Sequence, residues 1–156
     1  MKGMSKAGGV VLVSVFLGAG VLAADAKSGG AKTKPAAMVM KTPDEMKWIA
    51  NPARAEVTIA VAWGDPEKGA HGAFHRLKAG FDAGLHTHSS DIRLVVVSGT
   101  LVSAIEGGPE KKLPAGSYEF QPHGVRHVTK CDAGSDCVLF VTSSGKFDLL
   151  PADAKK

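Results

Sequence analysis

The sequences GFDAGLHTHSS (residues 80–90) and GSYEFQPHGVRHVTKC (residues 116–131) decide how this chain of 156 residues is interpreted. His86 and His88 are two positions apart, so a β-strand places both imidazoles on one face, roughly 7 Å apart along the strand. His127 follows about forty residues later, after further strands, and could return beside the first pair in a small barrel. The three histidines are therefore predicted to bind one metal ion.

Short β-branched or alternating apolar runs recur along the rest of the chain and are separated by turn residues such as Gly, Pro and Asp. They cover residues 57–63, 73–78, 92–97, 100–105, 117–121, 125–131 and 138–143. Seven or eight such strands predict an all-β sandwich or barrel. The stretch at residues 43–50 predicts one short helical turn, with Thr42 as its cap and Pro43 at the first position.

Residues 1–24 have the pattern of a secretory signal peptide, because Lys2 and Lys6 precede an apolar run that ends in small residues. An uncleaved N-terminal anchor is the alternative interpretation. We expect a periplasmic or secreted protein, with no stable membrane span once the signal peptide has been cleaved.

The rest of the chain is divided by its composition. Residues 25–42 are rich in Lys, Ala and Gly and predict a flexible linker. Residues 43–150 are long enough for one domain with its own core, and residues 151–156 are expected to form a C-terminal tail.

The charge of the chain gives little support for a nucleic-acid partner. The formal net charge of +4 falls to +2 without residues 1–24, since that segment contains two lysines and no acidic residue. Export argues further against nucleic acid. The sequence also lacks the GxSxG, P-loop and GxGxxG patterns, so acyl-transfer, phosphate and dinucleotide chemistry lack their usual scaffolds.

The spacing of glycine, proline and histidine resembles the two sequence motifs of the cupin superfamily. Gly80, His86, His88 and Gly99 match the first motif, and Gly116, Pro122, Gly124 and His127 match the second. The strand pattern extends the resemblance over most of residues 44–150. The resemblance implies a small single-domain cupin of the bacterial type, folded as a double-stranded β-helix or jelly-roll barrel.

The first motif departs from the cupin pattern at its glutamate, which falls on Ile92 or Arg93 depending on the register. Asp91 is adjacent and is a candidate additional ligand. On a regular strand, however, it has the opposite parity to His86 and His88, and only a bulge would turn it toward the metal. The preferred interpretation is a site of three histidines plus waters, which the resemblance to some cupin oxygenases supports. The alternative is a barrel with a metal-free pocket.

The other histidines are assigned by their surroundings. His71 lies in a glycine-rich stretch and is expected to be solvated, and His123 is expected to be a turn residue within Pro-x-Gly. His75 shares strand parity with Ala73 and Leu77, so it is a candidate pocket residue or fourth ligand, against the alternative of a core histidine.

Cys131 and Cys137 enclose five residues that have the composition of a hairpin tip. In an exported protein this spacing predicts a disulfide, with two free thiols as the alternative. Cys131 lies four residues beyond His127, roughly 13 Å along an extended strand, which is too far for both to bind one ion.

Three neutral imidazoles suit Fe, Mn, Zn, Ni or Cu and leave the full charge of the ion, which favours anionic partners. The sequence therefore predicts an exported cupin with a divalent transition metal, acting as an oxygenase or isomerase on a small oxygen-rich molecule. A non-catalytic cupin that binds or senses a metal or small ligand is the alternative. The expected partner is a small-molecule ligand or substrate, and the expected oligomer is a homodimer. No catalytic residue is identified beyond the metal ligands.

Overall fold

The computed structural model describes residues 37–152, so the predicted signal peptide and most of the predicted linker lie outside the described residues. Within the described part, a short 3-10 helix (Pro43–Glu45) precedes the strands. These are β1 (Ile49–Asn51), β2 (Arg54–Gly64), β3 (His71–Leu77), β4 (Asp82–Thr87), β5 (Ile92–Ser98), β6 (Thr100–Ile105), β7 (Lys111–Pro114), β8 (Tyr118–Gln121), β9 (His127–Cys131), β10 (Cys137–Ser143) and β11 (Leu150–Pro151). No helix in this part of the chain is long and apolar enough to cross a membrane.

The strands form two antiparallel sheets. One has the order β1-β2-β3-β10-β5-β8 and the other the order β11-β4-β9-β6-β7. Consecutive strands such as β3, β4 and β5 alternate between the two sheets, so the sheets close over a shared interior as a jelly roll. The predicted fold class is confirmed.

The interior is built by strict alternation along the strands. In β5, Ile92, Leu94 and Val96 are 4% exposed or less, and the residues between them face outward. Side chains such as Val96 and Leu101 fill one end of the barrel. Ile92 and Leu94 instead line a cavity at the other end, where the candidate site lies.

Three strands, β1, β7 and β11, were not anticipated from the sequence. A strand at His86 was expected from the His86–His88 spacing alone, and it is β4. Its sequence DAGLHT has no β-branched run, and its pairing with β9 is interrupted between Asp82 and Leu85. Pro151, placed in the C-terminal tail by the sequence analysis, pairs with His86 as part of β11.

The predicted helical turn is present but short. Pro43 begins the 3-10 helix and Thr42 precedes it, with the Thr42 amide donating a hydrogen bond to the Glu45 carboxylate (2.7 Å). Ile49 and Ala50, which the sequence placed in the same turn, pair with β2 instead.

Cys131 and Cys137 lie at the facing ends of β9 and β10, and their sulfur atoms are bonded at 2.08 Å. Both residues are buried, at 2% and 0% exposure. The expected hairpin tip is wrong, because β9 and β10 lie in different sheets and do not pair, so residues 132–136 cross from one sheet to the other. The disulfide joins the two ends of this crossing, and neither cysteine lines the cavity.

Removing this disulfide should lower stability only modestly. The bond spans six positions, and closing so short a loop constrains the unfolded chain by about 2 kcal/mol. The test is urea unfolding with and without reductant, repeated on the double variant Cys131→Ala/Cys137→Ala. Bound metal should stay unchanged, and loss of metal on reduction would place a cysteine at the site.

Candidate metal centre

Strand pairing brings the three predicted histidines together. His86 and His127 are directly opposite each other in the β4–β9 pair, and His88 lies just beyond the end of β4. The ring centroids are 4.3 Å apart for His86 and His127, 5.0 Å for His86 and His88, and 5.3 Å for His88 and His127. One nitrogen from each ring lies within 4.8 Å of the others, and all three side chains are buried.

The three imidazoles share one hydrogen-bond pattern that fixes which nitrogen faces the centre. Each Nδ1 bonds to a backbone carbonyl. The acceptors are Gly84 for His86 (2.8 Å), Asp148 for His88 and Val125 for His127 (2.9 Å). Because Nδ1 carries the proton, Nε2 has a free lone pair.

This arrangement fits a metal ion. His127 Nε2 is buried and has no hydrogen-bond partner among residues 37–152. A lone pair left without a partner in the interior is costly, and a cation between the three Nε2 atoms would satisfy it. The backbone carbonyls that hold the Nδ1 atoms are the usual outer partners of metal-binding histidines.

Burial keeps His86 and His88 neutral, as metal binding requires. Burial lowers the pKa of His86 to about 4, opposed in part by its bond to Gly84 and assisted by the nearby His127, His88 and Arg54. Burial also lowers the pKa of His88. Near neutral pH an ion need not displace a proton from either ring.

The cavity beside the histidines has a volume of about 830 Å³ and largely apolar walls. The Phe147 ring lies on its wall, with its centroid 5.1 Å from that of His75, 5.5 Å from that of His88 and 6.3 Å from that of His71. The volume is in the range of pockets that enclose small molecules.

His75 faces the interior, as its strand parity predicted. It is 6% exposed and lines the cavity, but it lies outside the group of three histidines that could share an ion. Burial lowers its pKa to about 4, with His71 and His88 adding to the shift. His75 is therefore a neutral side chain of the pocket wall.

These lowered pKa values predict that metal-free protein loses stability in mild acid. The unfolded chain takes up protons near the ordinary histidine pKa of 6.5, whereas His75 and His86 stay neutral in the folded state down to about 4. Stability should be level above pH 6.5 and fall between pH 6.5 and 4, by on the order of 3 kcal/mol for His75 alone. Urea unfolding at pH 7.5, 5.5 and 4.5 measures this. The variant His75→Phe should reduce the slope and His123→Ala should not, whereas equal slopes in all three proteins would contradict the assignment.

The expectation that His71 is solvated is wrong. His71 is 0% exposed, begins β3 and lines the cavity, and its Nδ1 bonds to the Gly69 carbonyl (2.9 Å). Gly72 made this stretch resemble a turn. It is instead a strand residue on which Trp63 packs so closely that a Cβ would lie 2.2 Å from the indole nitrogen.

Asp91, the candidate additional ligand, does not reach the centre. It lies in the loop before β5, where its Oδ1 accepts hydrogen bonds from the backbone N–H (3.0 Å) and Nδ1 (2.9 Å) of His123. The loop, rather than strand parity, directs its carboxylate away. His123 is largely exposed, with 73% of its side chain accessible, consistent with a turn residue.

Several residues of the site were missed by the sequence analysis. Phe147 and Asp148 lie between β10 and β11 and cover the site: the Asp148 carbonyl holds His88, and its carboxylate accepts hydrogen bonds from the Ser89 amide (2.9 Å) and hydroxyl. Arg54 and Gln121 also line the cavity. A carbonyl acceptor carries no sequence signal, and the other contacts depend on strand register.

The two-sheet jelly roll with its histidine group has the cupin fold. Solved structures with the same fold include RemF, a polyketide cyclase from Streptomyces resistomycificus, with a TM-score of 0.63 and 15% identity over 77% of this chain and 89% of that chain. An RmlC-like cupin from Shewanella frigidimarina matches with a TM-score of 0.56 and 18% identity, over 69% of this chain and 91% of that one. The DMSP lyase DddQ from Ruegeria pomeroyi matches with a TM-score of 0.54 and 17% identity, over 64% and 56% of the two chains.

The chain belongs to the family described as a domain of unknown function, DUF4437, which matches residues 23–150. A comparison with curated proteins found no match. At identities this low, the solved structures establish the fold and leave the function to be argued from the site.

Proposed function

We propose that this protein is a metal-dependent isomerase or oxygenase that binds a small carboxylate-bearing molecule in the cavity. The observation that carries the proposal is the convergence of three oriented Nε2 atoms beside a cavity of small-molecule size. A divalent ion bound there would supply Lewis-acid polarisation of a substrate oxygen. Because all three ligands are neutral, the site favours an anionic oxygen.

Arg54 supports an anionic substrate. Its guanidinium lies on the cavity wall, where Nη2 donates a hydrogen bond to the Ala83 carbonyl (3.3 Å) and the side chain lies 5.8 Å from the Phe81 ring centroid. A carbonyl acceptor leaves the positive charge available for an anion, and guanidinium matches the geometry of a carboxylate.

The cavity walls contribute by excluding water. Buried apolar side chains of the six-stranded sheet line the space, including Leu77, Leu94, Leu139 and Val141, and Ala83 lines it from the five-stranded sheet. In such surroundings the attraction between a bound anion and the charged groups is stronger than in water. The neutral His75 on the same wall could accept a hydrogen bond or a proton from a bound substrate.

Two of the similar structures support an enzyme of small molecules, since they are named as a polyketide cyclase and as a DMSP lyase. Neither name assigns the substrate of this chain.

The substrate class can be tested with 2-oxobutyrate, which offers a carboxylate and a neighbouring keto oxygen. Calorimetric titration should detect binding to zinc-loaded protein but not to metal-free protein. Arg54→Gln should weaken binding by about tenfold or more, the loss expected for one charge-assisted contact. The control is Arg76→Gln, because Arg76 stacks on Trp48 (4.1 Å) away from the cavity. Equal affinity for 2-oxobutyrate with and without the metal, and in wild-type protein and Arg54→Gln, would contradict the proposal.

The type of reaction is tested on the same ligand. Deuterium exchange at C3 in heavy water, followed by proton NMR, indicates the proton transfer of an isomerase, whereas oxygen uptake by the iron-loaded protein indicates an oxygenase. Binding with neither reaction favours the alternative of a non-catalytic cupin.

We also propose that the protein is exported. The pattern of residues 1–24 and the Cys131–Cys137 disulfide both support an oxidising compartment. Fractionation of cells that express the full chain, with mass measurement of the mature protein, tests cleavage and location together.

A homodimer is supported by an apolar surface on the outer face of the six-stranded sheet. Val95, Val97, Tyr118 and Phe120 are 40–59% exposed there, on the neighbouring strands β5 and β8. We expect sedimentation equilibrium to give twice the chain mass, and Phe120→Glu to shift the protein to monomer. A monomeric wild-type protein at micromolar concentration would contradict this.

A further inference from the structure

The missing glutamate of the first cupin motif leaves an apolar position at the centre. Ile92 occupies that position in one register, is 2% exposed and lines the cavity. Its cross-strand partner in β8 is Gln121, which is 5% exposed and lines the same cavity. Paired residues of adjacent strands project from the same face with Cβ atoms about 5 Å apart. The longer, polar side chain of Gln121 therefore lies next to Ile92, the position at which the usual cupin motif has its glutamate.

The hydrogen bonds of Gln121 orient its amide. Nε2 donates to Glu119 Oε1 (3.1 Å) and lies 3.4 Å from Thr129 Oγ1, so both N–H groups are engaged. The amide oxygen is left as an acceptor. Gln121 and His88 line the same cavity. Since His88 Nδ1 bonds to the Asp148 carbonyl, the His88 ring atom with a free lone pair is Nε2.

Gln121 Oε1 and His88 Nε2 are thus two atoms with available lone pairs on residues that line the same cavity. A divalent ion satisfies both, and an amide oxygen is an ordinary ligand for such an ion.

Glu119 holds the amide in place. Its Oε1 accepts hydrogen bonds from Gln121 Nε2 and from the Ser103 hydroxyl (2.7 Å). Its Oε2 is buried and has no hydrogen-bond partner within residues 37–152. A carboxylate that accepts the amide N–H also increases the negative partial charge on the amide oxygen, which makes the oxygen a better ligand.

We propose that Gln121 Oε1 is a fourth protein ligand of the centre and that Glu119 is the positioning residue that orients it. The carboxylate of the usual cupin pattern is thus replaced by an amide backed by a carboxylate farther from the ion. The proposal rests on the metal-binding part of the proposed function. It also keeps the full positive charge of the ion available to an anionic substrate, because the added ligand is neutral.

The test uses the full chain loaded with Co²⁺, whose visible absorption reports the number and type of ligands. Affinity is measured by competition with a chelator. Gln121→Leu should lower the affinity by about tenfold to a hundredfold and change the spectrum, the loss expected when one partner of a metal site is removed. Gln121→Glu keeps the length of the side chain but replaces the N–H donor to Glu119 with a carboxylate oxygen, so it should change the spectrum.

Glu119→Gln separates positioning from ligation. It should change the spectrum and lower the affinity less than Gln121→Leu does, with one ion still bound per chain. Gln121→Asn keeps the amide but shortens it, so it should lose affinity as Gln121→Leu does and serves if the leucine variant does not fold. The control is Asp91→Ala, which should leave affinity and spectrum unchanged.

The outcomes distinguish the two proposals. If wild-type protein binds Co²⁺ and the Gln121 variants have unchanged affinity and spectrum, the ligand role of Gln121 is overturned while the three-histidine site stands. If wild-type protein binds no Co²⁺, the proposed function fails and the ligand role fails with it.

Discussion

Replacing His86 or His127 with alanine is expected to abolish stoichiometric binding of a divalent ion while leaving the barrel folded. Each change removes one of three convergent nitrogens, and the two that are left bind too weakly to retain an ion through dialysis. We expect the affinity to fall by at least about a hundredfold, more than the loss from disturbing an outer partner of the site. Metal per chain is measured by plasma mass spectrometry, and circular dichroism measures the fold.

Two variants near the centre serve as controls. His123→Ala and Asp91→Ala remove a hydrogen-bonded pair that lies outside the histidine group. Both should bind one ion per chain with nearly unchanged affinity. Equal metal content in the His86, His127 and control variants would contradict the assigned site.

A large loss of stability from a single small substitution is expected at Gly99. This residue has a φ of +78°, and a Cβ there would lie 2.6 Å from the Asp136 carbonyl oxygen and 2.9 Å from Cys137 Cα. Both contacts are with backbone next to the disulfide, so neither can move easily. Gly99→Ala should therefore lose stability for two reasons, because alanine disfavours the left-handed backbone conformation and because its Cβ overpacks the site.

Gly80 provides a matched control, because it has the same φ of +78° and no atom within 4 Å of an added Cβ. Gly80→Ala should cost about 1–2 kcal/mol, from the backbone alone. Gly99→Ala should cost about 1–3 kcal/mol more, from the added crowding. Urea unfolding of both variants measures the difference. Equal losses of stability would show that the backbone beside Gly99 shifts to accommodate the added Cβ.

The fold could be predicted because the local sequence patterns agree with it. Buried and exposed residues alternate regularly along β5. The motif glycines, which fix the spacing around His86, His88 and His127, lie at positions of positive φ that few other residues adopt. Such signals are short-range, so they can be read along the chain.

The rest of the site depends on register and backbone. The strand β4 has no run of β-branched residues to mark it as a strand. The burial of His71 was not predicted because Gly72 suggested a turn, whereas its small size makes room for the Trp63 ring. The proposed ligand role of Gln121 depends on the pairing of β8 with β5, which places Gln121 beside Ile92. Asp91 was judged by strand parity, whereas a loop and His123 decide its direction.

The central claim is that the three histidines bind one ion through their Nε2 atoms. The most direct test is a crystal structure of zinc-loaded protein, with anomalous diffraction recorded at the zinc edge. We predict one anomalous peak per chain, about 2.0–2.1 Å from Nε2 of His86, His88 and His127. A peak elsewhere, or none among these three nitrogens in protein that contains stoichiometric zinc, would contradict the account.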